Sequence, residues 1–410
     1  MRKVSTTKFI TIVIILAISM IGCKHTNDAD IYTSEVSDNN GFSNMYIIDY
    51  TNMSYDDRFY VLQQRFYDAF NSNETQINVS DLCFSNEESY EIFYRLKYEN
   101  PDYFSCTKNE TIHFTREPSC FISISWEYIS DDSNKRLQTV RNMTKNIASN
   151  IDPEWSDFKK ALWINNWICD HLEYDETLTL RDAYDGYVTG KAVCEGFTYI
   201  FCMLAEECGL EASFVLNGDH VWNVAKIDGE WYNIDLTVNI RERKSYRTFL
   251  YSDQAMSKIF PKTDEYICLY ECSSTRFDDA YWHISGFGSM TFVNDTFYMT
   301  NGYGIRTFTE ENIKPEYFIS TKRQEWKDEN GKIRECGFVD ISNYKNGFLY
   351  NTRDEIFYYD VNSGITTLVY EMQDTETHFF GIHFENGIVK IQSYINFANN
   401  EQVSWTISIQ

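Results

Sequence analysis

The sequence is short of basic residues, with 36 lysines and arginines against 61 aspartates and glutamates in 410 residues. Nucleic-acid binding needs a basic face, so this balance argues against a nucleic-acid partner. It argues equally against electrostatic docking on anionic lipid. We interpret the acidic excess as a source of solubility at a cell surface.

Paired metal-ligand motifs are also lacking. The chain has eleven cysteines and seven histidines, but no cysteine pair has Cys-x-x-Cys spacing and the histidines are scattered. We therefore expect no metal site and no cofactor. Cys106 and Cys120 flank a predicted strand and are candidates for a bridge, whereas Cys268 and Cys272 are spaced to share a helix face.

Long hydrophobic runs are missing except at the N-terminus. Phe9–Ile21 is apolar but short for a membrane span, and Arg2, Lys3 and Lys8 precede or flank it. The segment Met20–Cys23 resembles the end of a bacterial lipoprotein signal. That resemblance implies an exported protein held on the bacterial cell surface by lipid on Cys23. A plain secreted protein and an uncleaved anchor are the alternatives.

The segments that follow the predicted signal peptide, residues 1–22, differ in composition. Residues 23–56 are rich in asparagine, aspartate, serine and threonine, without an apolar period, and predict a flexible tether. Residues 57–150 mix helical and strand patterns and predict an α+β region. Asp152 and Pro153 then resemble the start of a helix that runs to Leu172, and residues 176–190 predict a polar loop.

The pattern after residue 190 predicts a helix that begins near Cys194. Apolar side chains recur there at steps of three and four residues, at Phe197, Phe201, Leu204 and Cys208. Gly209 is typical of the residue that ends a helix. The unpaired N–H groups and the dipole at a helix N-terminus favour an anion, so we expect a stabilised thiolate at Cys194. The same N–H groups suit the oxyanion of a tetrahedral intermediate.

Three short strands are predicted after this helix. Residues 211–216, 220–227 and 230–236 are rich in β-forming and aromatic side chains, and turn pairs Asn217-Gly218 and Asp228-Gly229 separate them. His220 would begin the second strand and Asp235 would lie near the end of the third. Antiparallel pairing could bring the two together, with His220 as base for Cys194 and Asp235 orienting the imidazole.

These residues resemble the transglutaminase-like superfamily, whose core is a papain-like Cys-His-Asp site. The resemblance is carried by Gly190-x-x-Val193-Cys194-x-Gly196, by His220-x-Trp222-Asn223 and by Trp231-x-x-x-Asp235-x-Thr237, together with the upstream segment that ends in Leu172-Glu173-Tyr174-Asp175. It implies a core of one helix and an antiparallel sheet within a catalytic domain at 151–285. It also makes Tyr174, Trp222 and Asn223 candidates for the substrate cleft.

The final segment, residues 286–410, predicts an all-β domain of repeated hairpins. Turn pairs Asn294-Asp295, Asn346-Gly347 and Asn386-Gly387 each separate two β-forming runs. Their spacing suits a propeller blade, but three units are too few for a closed ring, so we predict an open propeller-like or sandwich-like domain. Its aromatic residues make a cell-wall or surface polymer a candidate ligand.

The sequence as a whole predicts a surface cysteine enzyme that attacks amide bonds of proteins or peptides through a thioester. We expect hydrolysis, as in a peptidase or deamidase. Transfer to an amine, as in a cross-linking transglutaminase, is one alternative. A catalytically silent binding protein that uses the C-terminal β domain is the other.

Overall fold

The computed structural model describes residues 50, 53–115, 121–241, 246–283, 288–301, 303–321, 324–327, 332–336, 339–373, 377–396 and 401–409. The predicted signal peptide, Cys23, most of the tether and Cys120 lie outside these residues. Within them, no helix combines the length and the apolar character that crossing a membrane requires. The described residues divide into two compact units, those up to 86 with those of 112–124, and those of 87–111 with those from 125 onward.

The first unit is organised around helix α1 (Tyr55–Asn71). The Ser54 side chain accepts a hydrogen bond from the Asp57 N–H and caps the helix start. Its buried face carries Phe59, Leu62, Phe66 and Phe70, as their spacing predicts. Strand β1 (Gln76–Asn78) follows, and it pairs with the second of the next two strands. Strands β2 (Thr107–Phe114) and β3 (Phe121–Tyr128) contribute residues to both units.

The second unit begins with a series of helices. They are α2 (Asn86–Glu99), α3 (Pro101–Phe104), α4 (Ser133–Ala148), α5 (Asp157–His171), α6 (Ala183–Thr189), α7 (Cys194–Cys208), α8 (Leu236–Arg241) and α9 (Asp253–Met256). Helix α7 is the central one and packs against α4, α5, α6 and the sheet. Its apolar residues are buried on all sides, including Phe197, Phe201 and Leu204. Gly209 ends it at φ +72°, as predicted.

An antiparallel sheet covers one side of α7. Its strands are β6 (Ala212–Asn217), β7 (His220–Ile227), β8 (Glu230–Ile234), β9 (Phe249–Tyr251) and β10 (Tyr266–Cys268), in the order β10-β6-β7-β8-β9. Asp228 and Gly229 both have positive φ, as the tight turn predicted between β7 and β8 requires. A short parallel pair, β4 (Glu173–Tyr174) with β5 (Lys191–Ala192), lies next to the start of α7.

Two predictions about the approach to α7 were wrong. Helix α5 begins at Asp157 rather than near Asp152, because the Ser156 side chain caps it at the Lys159 N–H. Asp152 instead accepts the Glu154 N–H and closes a separate turn. Residues 176–190, predicted to form a loop, contain helix α6, which the Asp182 side chain caps at the Asp185 N–H.

The rest of the second unit is all-β, as predicted. Its strands are β11 (Met290–Val293), β12 (Thr296–Thr300), β13 (Gly304–Phe308), β14 (Glu316–Ser320), β15 (Gln324–Lys327), β16 (Ile333–Cys336), β17 (Ile341–Tyr344), β18 (Gly347–Asn351), β19 (Glu355–Asp360), β20 (Ile365–Glu371), β21 (His378–Glu385), β22 (Ile388–Asn396) and β23 (Glu401–Ser408). They form antiparallel sheets β11–β14, β15–β16, β17–β20 and β21–β23 in chain order.

One of the three predicted hairpin turns is shifted by a residue. Lys345 and Asn346 make the turn, since Tyr344 pairs with Gly347 in the register of β17 and β18. A side chain at Gly347 would collide with the carbonyl oxygen of Tyr359 on β19. This glycine therefore serves close strand approach rather than turn geometry.

Candidate active site

Cys194 is the first residue of α7 and is half-buried. Val193 before it is extended and provides no side-chain cap. Because valine has no polar side-chain atom, Val193 leaves the first-turn N–H groups of α7 available to an anion. A Cβ on Gly196 would lie 2.8 Å from the Ala192 Cβ and 3.0 Å from the Asp182 carbonyl oxygen. Glycine at this position lets the start of α7 pack closely against its neighbours.

The segment before α7 is fixed by a buried carboxylate. Asp175 accepts hydrogen bonds from the Thr177 hydroxyl at 2.7 Å and from the Leu180 N–H at 2.9 Å. These bonds hold the pKa of Asp175 well below its usual range. The Leu180 carbonyl in turn accepts the Val193 N–H at 2.9 Å. The residue that precedes Cys194 is thereby tied to this carboxylate-centred loop.

His220 begins β7, as predicted, whereas Asp235 directly follows β8 and is not inside the strand, which ends at Ile234. The Nε2 of His220 lies 2.8 Å from Oδ2 of Asp235, whose side chain is fully buried. The other Asp235 oxygen accepts the N–H of Thr237 at 2.9 Å, at the start of α8. Because each carboxylate oxygen has its own donor, the orientation of Asp235 is fixed from two sides.

This geometry sets the tautomer of His220. A carboxylate oxygen only accepts, so Nε2 carries a hydrogen and Nδ1 is the nitrogen left for the Cys194 thiol. Burial opposes the charged imidazole, but hydrogen bonds with Asp235 and Cys194, and attraction to both, raise the pKa of His220 to about 10. The structure thus brings together Cys194, His220 and Asp235.

Two aromatic rings hold the imidazole in place. The His220 ring lies 5.5 Å from Trp222 and 5.1 Å from Phe260, centroid to centroid, and those two rings stack on each other at 5.6 Å. The Trp222 indole N–H donates to Asn233 Oδ1 at 2.8 Å, and Trp222 is only 2% exposed. Trp222 therefore packs against the His220 ring, and its small exposed area leaves little surface for a ligand.

The other two cleft candidates lie against α7. Asn223 is buried, and its amide donates to the Thr198 carbonyl at 3.2 Å and the Ser213 carbonyl at 3.3 Å. It joins the helix to the sheet. Tyr174, in β4, is half-buried with its ring 6.3 Å from that of Phe197.

An ion cluster adjoins Cys194 along the chain, with Lys97 and Glu195 largely buried and Arg181 exposed. The Glu195 carboxylate lies 2.6 Å from Lys97 Nζ and 3.0 Å from Arg181 Nε. Burial alone would raise the pKa of Glu195, but the charges and hydrogen bonds of Lys97 and Arg181 hold it below its usual value. Burial likewise opposes charge on Lys97, yet Glu195 and Glu110 raise its pKa. The cluster links α2 and the loop before α6 to the first turn of α7.

Sequence reasoning missed Phe260, Lys97 and the role of Glu195. Phe260 follows α9 in an irregular segment, so no periodicity marks its face. The charge pattern on α2 gives no sign that Lys97 is buried, because its partner lies on another helix. The only available signal was Glu195 itself, an acidic residue in the first turn of a helix whose other acidic residues, Glu206 and Glu207, lie at its far end.

A cluster of possible metal ligands shares no residue with the set of Cys194, His220 and Asp235. It consists of His171, His383 and Glu385.

Known proteins are similar to this part of the chain. Residues 141–236, which include Cys194, His220 and Asp235, match the model of the Transglutaminase-like superfamily. The kyphoscoliosis peptidase of Mus musculus is 25% identical over 228 residues, which cover 46% of this chain and 34% of the relative. That of Homo sapiens is 29% identical over 119 residues, which cover 23% of this chain and 18% of the relative.

A solved structure described as a TGase covers 32% of this chain and 44% of its own, with 14% identity and a TM-score of 0.24. The chain spans about a third of the length of the mouse relative and less of the human one.

Proposed function

We propose, from a chain whose residues 141–236 belong to the transglutaminase-like superfamily, that the protein is a cysteine hydrolase acting on amide bonds of proteins or peptides. The observation that carries the proposal is the contact set at the start of α7. Cys194 opens a helix, His220 presents Nδ1 to it, and Asp235 fixes the imidazole through Nε2 at 2.8 Å.

The first half-reaction follows from these positions. Proton transfer from the Cys194 thiol to His220 Nδ1 gives a thiolate and an imidazolium, and Asp235 stabilises the latter. The thiolate attacks the amide carbonyl carbon, and the Cys194 backbone N–H is positioned to donate to the resulting oxyanion. As the C–N bond breaks, the imidazolium gives its proton to the leaving amine, and a thioester remains on Cys194.

The second half-reaction decides the class of enzyme. Water attacks the thioester carbonyl carbon and gives a proton to His220. As the C–S bond breaks, His220 returns that proton to the Cys194 sulfur, and a carboxylic acid is released. An amine acceptor in place of water would give cross-linking. We favour water because Cys194 is half-buried rather than enclosed, so solvent reaches it. The name of the mouse and human relatives, kyphoscoliosis peptidase, agrees with hydrolysis.

We further propose that the enzyme works at the bacterial cell surface, anchored by lipid on Cys23. The support is the basic start and the short apolar segment of residues 1–22, followed by that cysteine. A protein or peptide substrate would then be met outside the cytoplasm. Metabolic labelling with a fatty-acid analogue should mark the chain and fail to mark a Cys23→Ser variant.

The test of activity is mass spectrometry of a mixed peptide library incubated with the protein and a primary amine. Peptide cleavage, conversion of a side-chain amide to acid, and amine addition give different mass changes. We expect cleavage or amide-to-acid conversion in the wild type and neither in Cys194→Ala. Amine addition as the main product would replace hydrolysis by cross-linking, and equal turnover in Cys194→Ala would refute the mechanism.

A further inference from the structure

Two histidines and a glutamate meet where α5 approaches the C-terminal β region. His171 is the last residue of α5, and His383 and Glu385 lie two residues apart on β21. Alternate residues of a strand share a face, so His383 and Glu385 face the same way. One ligand atom from each of the three side chains lies within 4.8 Å of the others.

His171 presents a ring nitrogen to this cluster. Its Nδ1 lies 2.8 Å from the Trp167 carbonyl oxygen, which only accepts, so Nδ1 carries the hydrogen. Nε2 then faces Glu385 Oε1 at 3.1 Å. A neutral imidazole would set a lone pair against a carboxylate there. A cation is therefore needed between them, either a second ring proton or a metal ion.

His383 favours the metal ion. Its Nδ1 lies 3.3 Å from Asp170 Oδ2, and its Nε2 is buried with no hydrogen-bond partner among the described residues. A ring proton on His171 would leave that nitrogen unsatisfied, whereas a metal ion would satisfy it. A metal-ligating histidine usually bonds a carboxylate or carbonyl through one ring nitrogen and keeps the other for the metal.

The dimensions of the cluster also suit an ion of the zinc class. Bonds of about 2.0–2.1 Å in a tetrahedral site place ligand atoms about 3.3 Å apart. The 3.1 Å between His171 Nε2 and Glu385 Oε1 is close to this spacing. The ligand atom of His383 lies within 4.8 Å of both and would reach the same spacing by a movement on the order of 1 Å. Trp167 stacks on the His171 ring at 4.6 Å with an angle of 13°, which holds one ligand in place.

We propose that His171, His383 and Glu385 bind a divalent transition-metal ion such as Zn²⁺, with a fourth position left for water. Asp170 and the Trp167 carbonyl orient the two imidazoles. The ion fastens β21 of the all-β region to the end of α5. It thereby braces the segment that continues into β4 beside the start of α7.

Cobalt titration of the full chain, stripped of metal with a chelator, tests this site. We expect one Co²⁺ per chain with the visible absorption of a tetrahedral site and without thiolate-to-cobalt charge transfer. His171→Ala and His383→Ala should abolish that spectrum. Asp170→Asn, which removes only the orienting carboxylate, should weaken binding by about 10–100-fold. Zn²⁺ should displace the Co²⁺ and raise the Tm of the wild type but not of His383→Ala.

His113→Ala is the matched control, because it removes a histidine of the first unit and should leave the spectrum unchanged. Circular dichroism of each metal-free variant shows whether it has folded. Glu385→Gln keeps the shape of the cluster and should also weaken Co²⁺ binding. It replaces an alanine variant that does not fold. The proposal is wrong if the wild type binds no Co²⁺, if the spectrum is that of cysteine ligands, or if folded His171→Ala and His383→Ala bind as the wild type does.

Discussion

Two histidines of the second unit are largely buried and behave in opposite ways. His283, in the turn Tyr281–His283, has its ring nitrogens 2.9–3.1 Å from backbone carbonyls and stacks on Tyr251 at 3.8 Å. Burial lowers the pKa of His283 to about 4. His220 meets the Asp235 carboxylate and the Cys194 thiol, and its pKa is raised to about 10 despite burial.

The difference shows what marks a catalytic histidine. Burial favours the neutral ring at both positions, and carbonyl dipoles at His283 do not overcome it. A full negative charge beside the ring does overcome it at His220. The charge of the partner, rather than the depth of the imidazole, therefore identifies a group suited to hold a proton during reaction.

The largest expected effect is a loss of catalytic rate on replacing His220, whereas replacing His283 should affect only stability. His220→Ala is expected to lower kcat/KM by about 10²–10⁴-fold, because proton transfer by a positioned base contributes that much. His283→Gln should lower the Tm and leave kcat/KM of the folded protein near the wild-type value. Kinetics on a peptide substrate, with thermal unfolding of both variants, makes the comparison. Equal rate losses would remove the distinction between the two residues.

The second prediction concerns the carboxylate alone. Asp235→Asn removes the charge but keeps the shape, so the pKa of His220 should fall below about 10 and activity should fall with it. NMR titration of the histidine ring protons measures this shift. The His283 signal in the same spectra is the internal control and should not move. An unchanged His220 titration would show that Asp235 is not the source of the raised pKa.

The third prediction concerns the stability of the folded protein when a buried charge loses its partner. Lys97→Met leaves the buried Glu195 with the exposed Arg181 and the Tyr199 hydroxyl, and we expect a loss of about 3 kcal/mol in the free energy of unfolding. Urea unfolding gives the value. Lys191→Met is the matched control, since its 3.1 Å pair with Glu173 is exposed and should contribute about 0–1 kcal/mol. Similar losses in both variants would contradict the buried cluster.

The last prediction is a pair of opposite dependences of stability on pH. The folded chain holds an extra proton on His220 between the ordinary pKa of about 6.5 and about 10, so this contribution to stability is lost as pH rises through that window. For His283 the unfolded chain holds the extra proton between about 4 and about 6.5, so stability is lost as pH falls. Urea unfolding across pH should show the alkaline loss in wild type but not in His220→Gln.

Local signals explain why the site was predictable. The three- and four-residue steps after Cys194 fix the helix, and Gly209 ends it. The tight turn at Asp228-Gly229 sets the antiparallel register of β7 and β8, and with it the approach of His220 to Asp235. Each of these features depends on residues near one another in sequence.

Other features depend on partners far away along the chain. Ser156 rather than Asp152 caps α5, and the Ser156 hydroxyl also donates to Glu310, which lies far away along the chain. The Lys97–Glu195 pair and the His171–His383–Glu385 cluster join elements that no short-range pattern relates. The identification of the transglutaminase-like core needed only the local signals, whereas the supports around it needed the structure.

Iodoacetamide labelling of the native protein, followed residue by residue by peptide mass spectrometry across pH, tests the central claim most directly. Cys83, an exposed thiol of the first unit, normalises the reagent. We predict that Cys194 is alkylated readily below pH 7, where ordinary thiols of pKa about 8.5 are mostly protonated, and that His220→Ala loses this reactivity. A Cys194 that stays unreactive below pH 7, or a pH profile unchanged in His220→Ala, would contradict the thiolate–imidazolium pair.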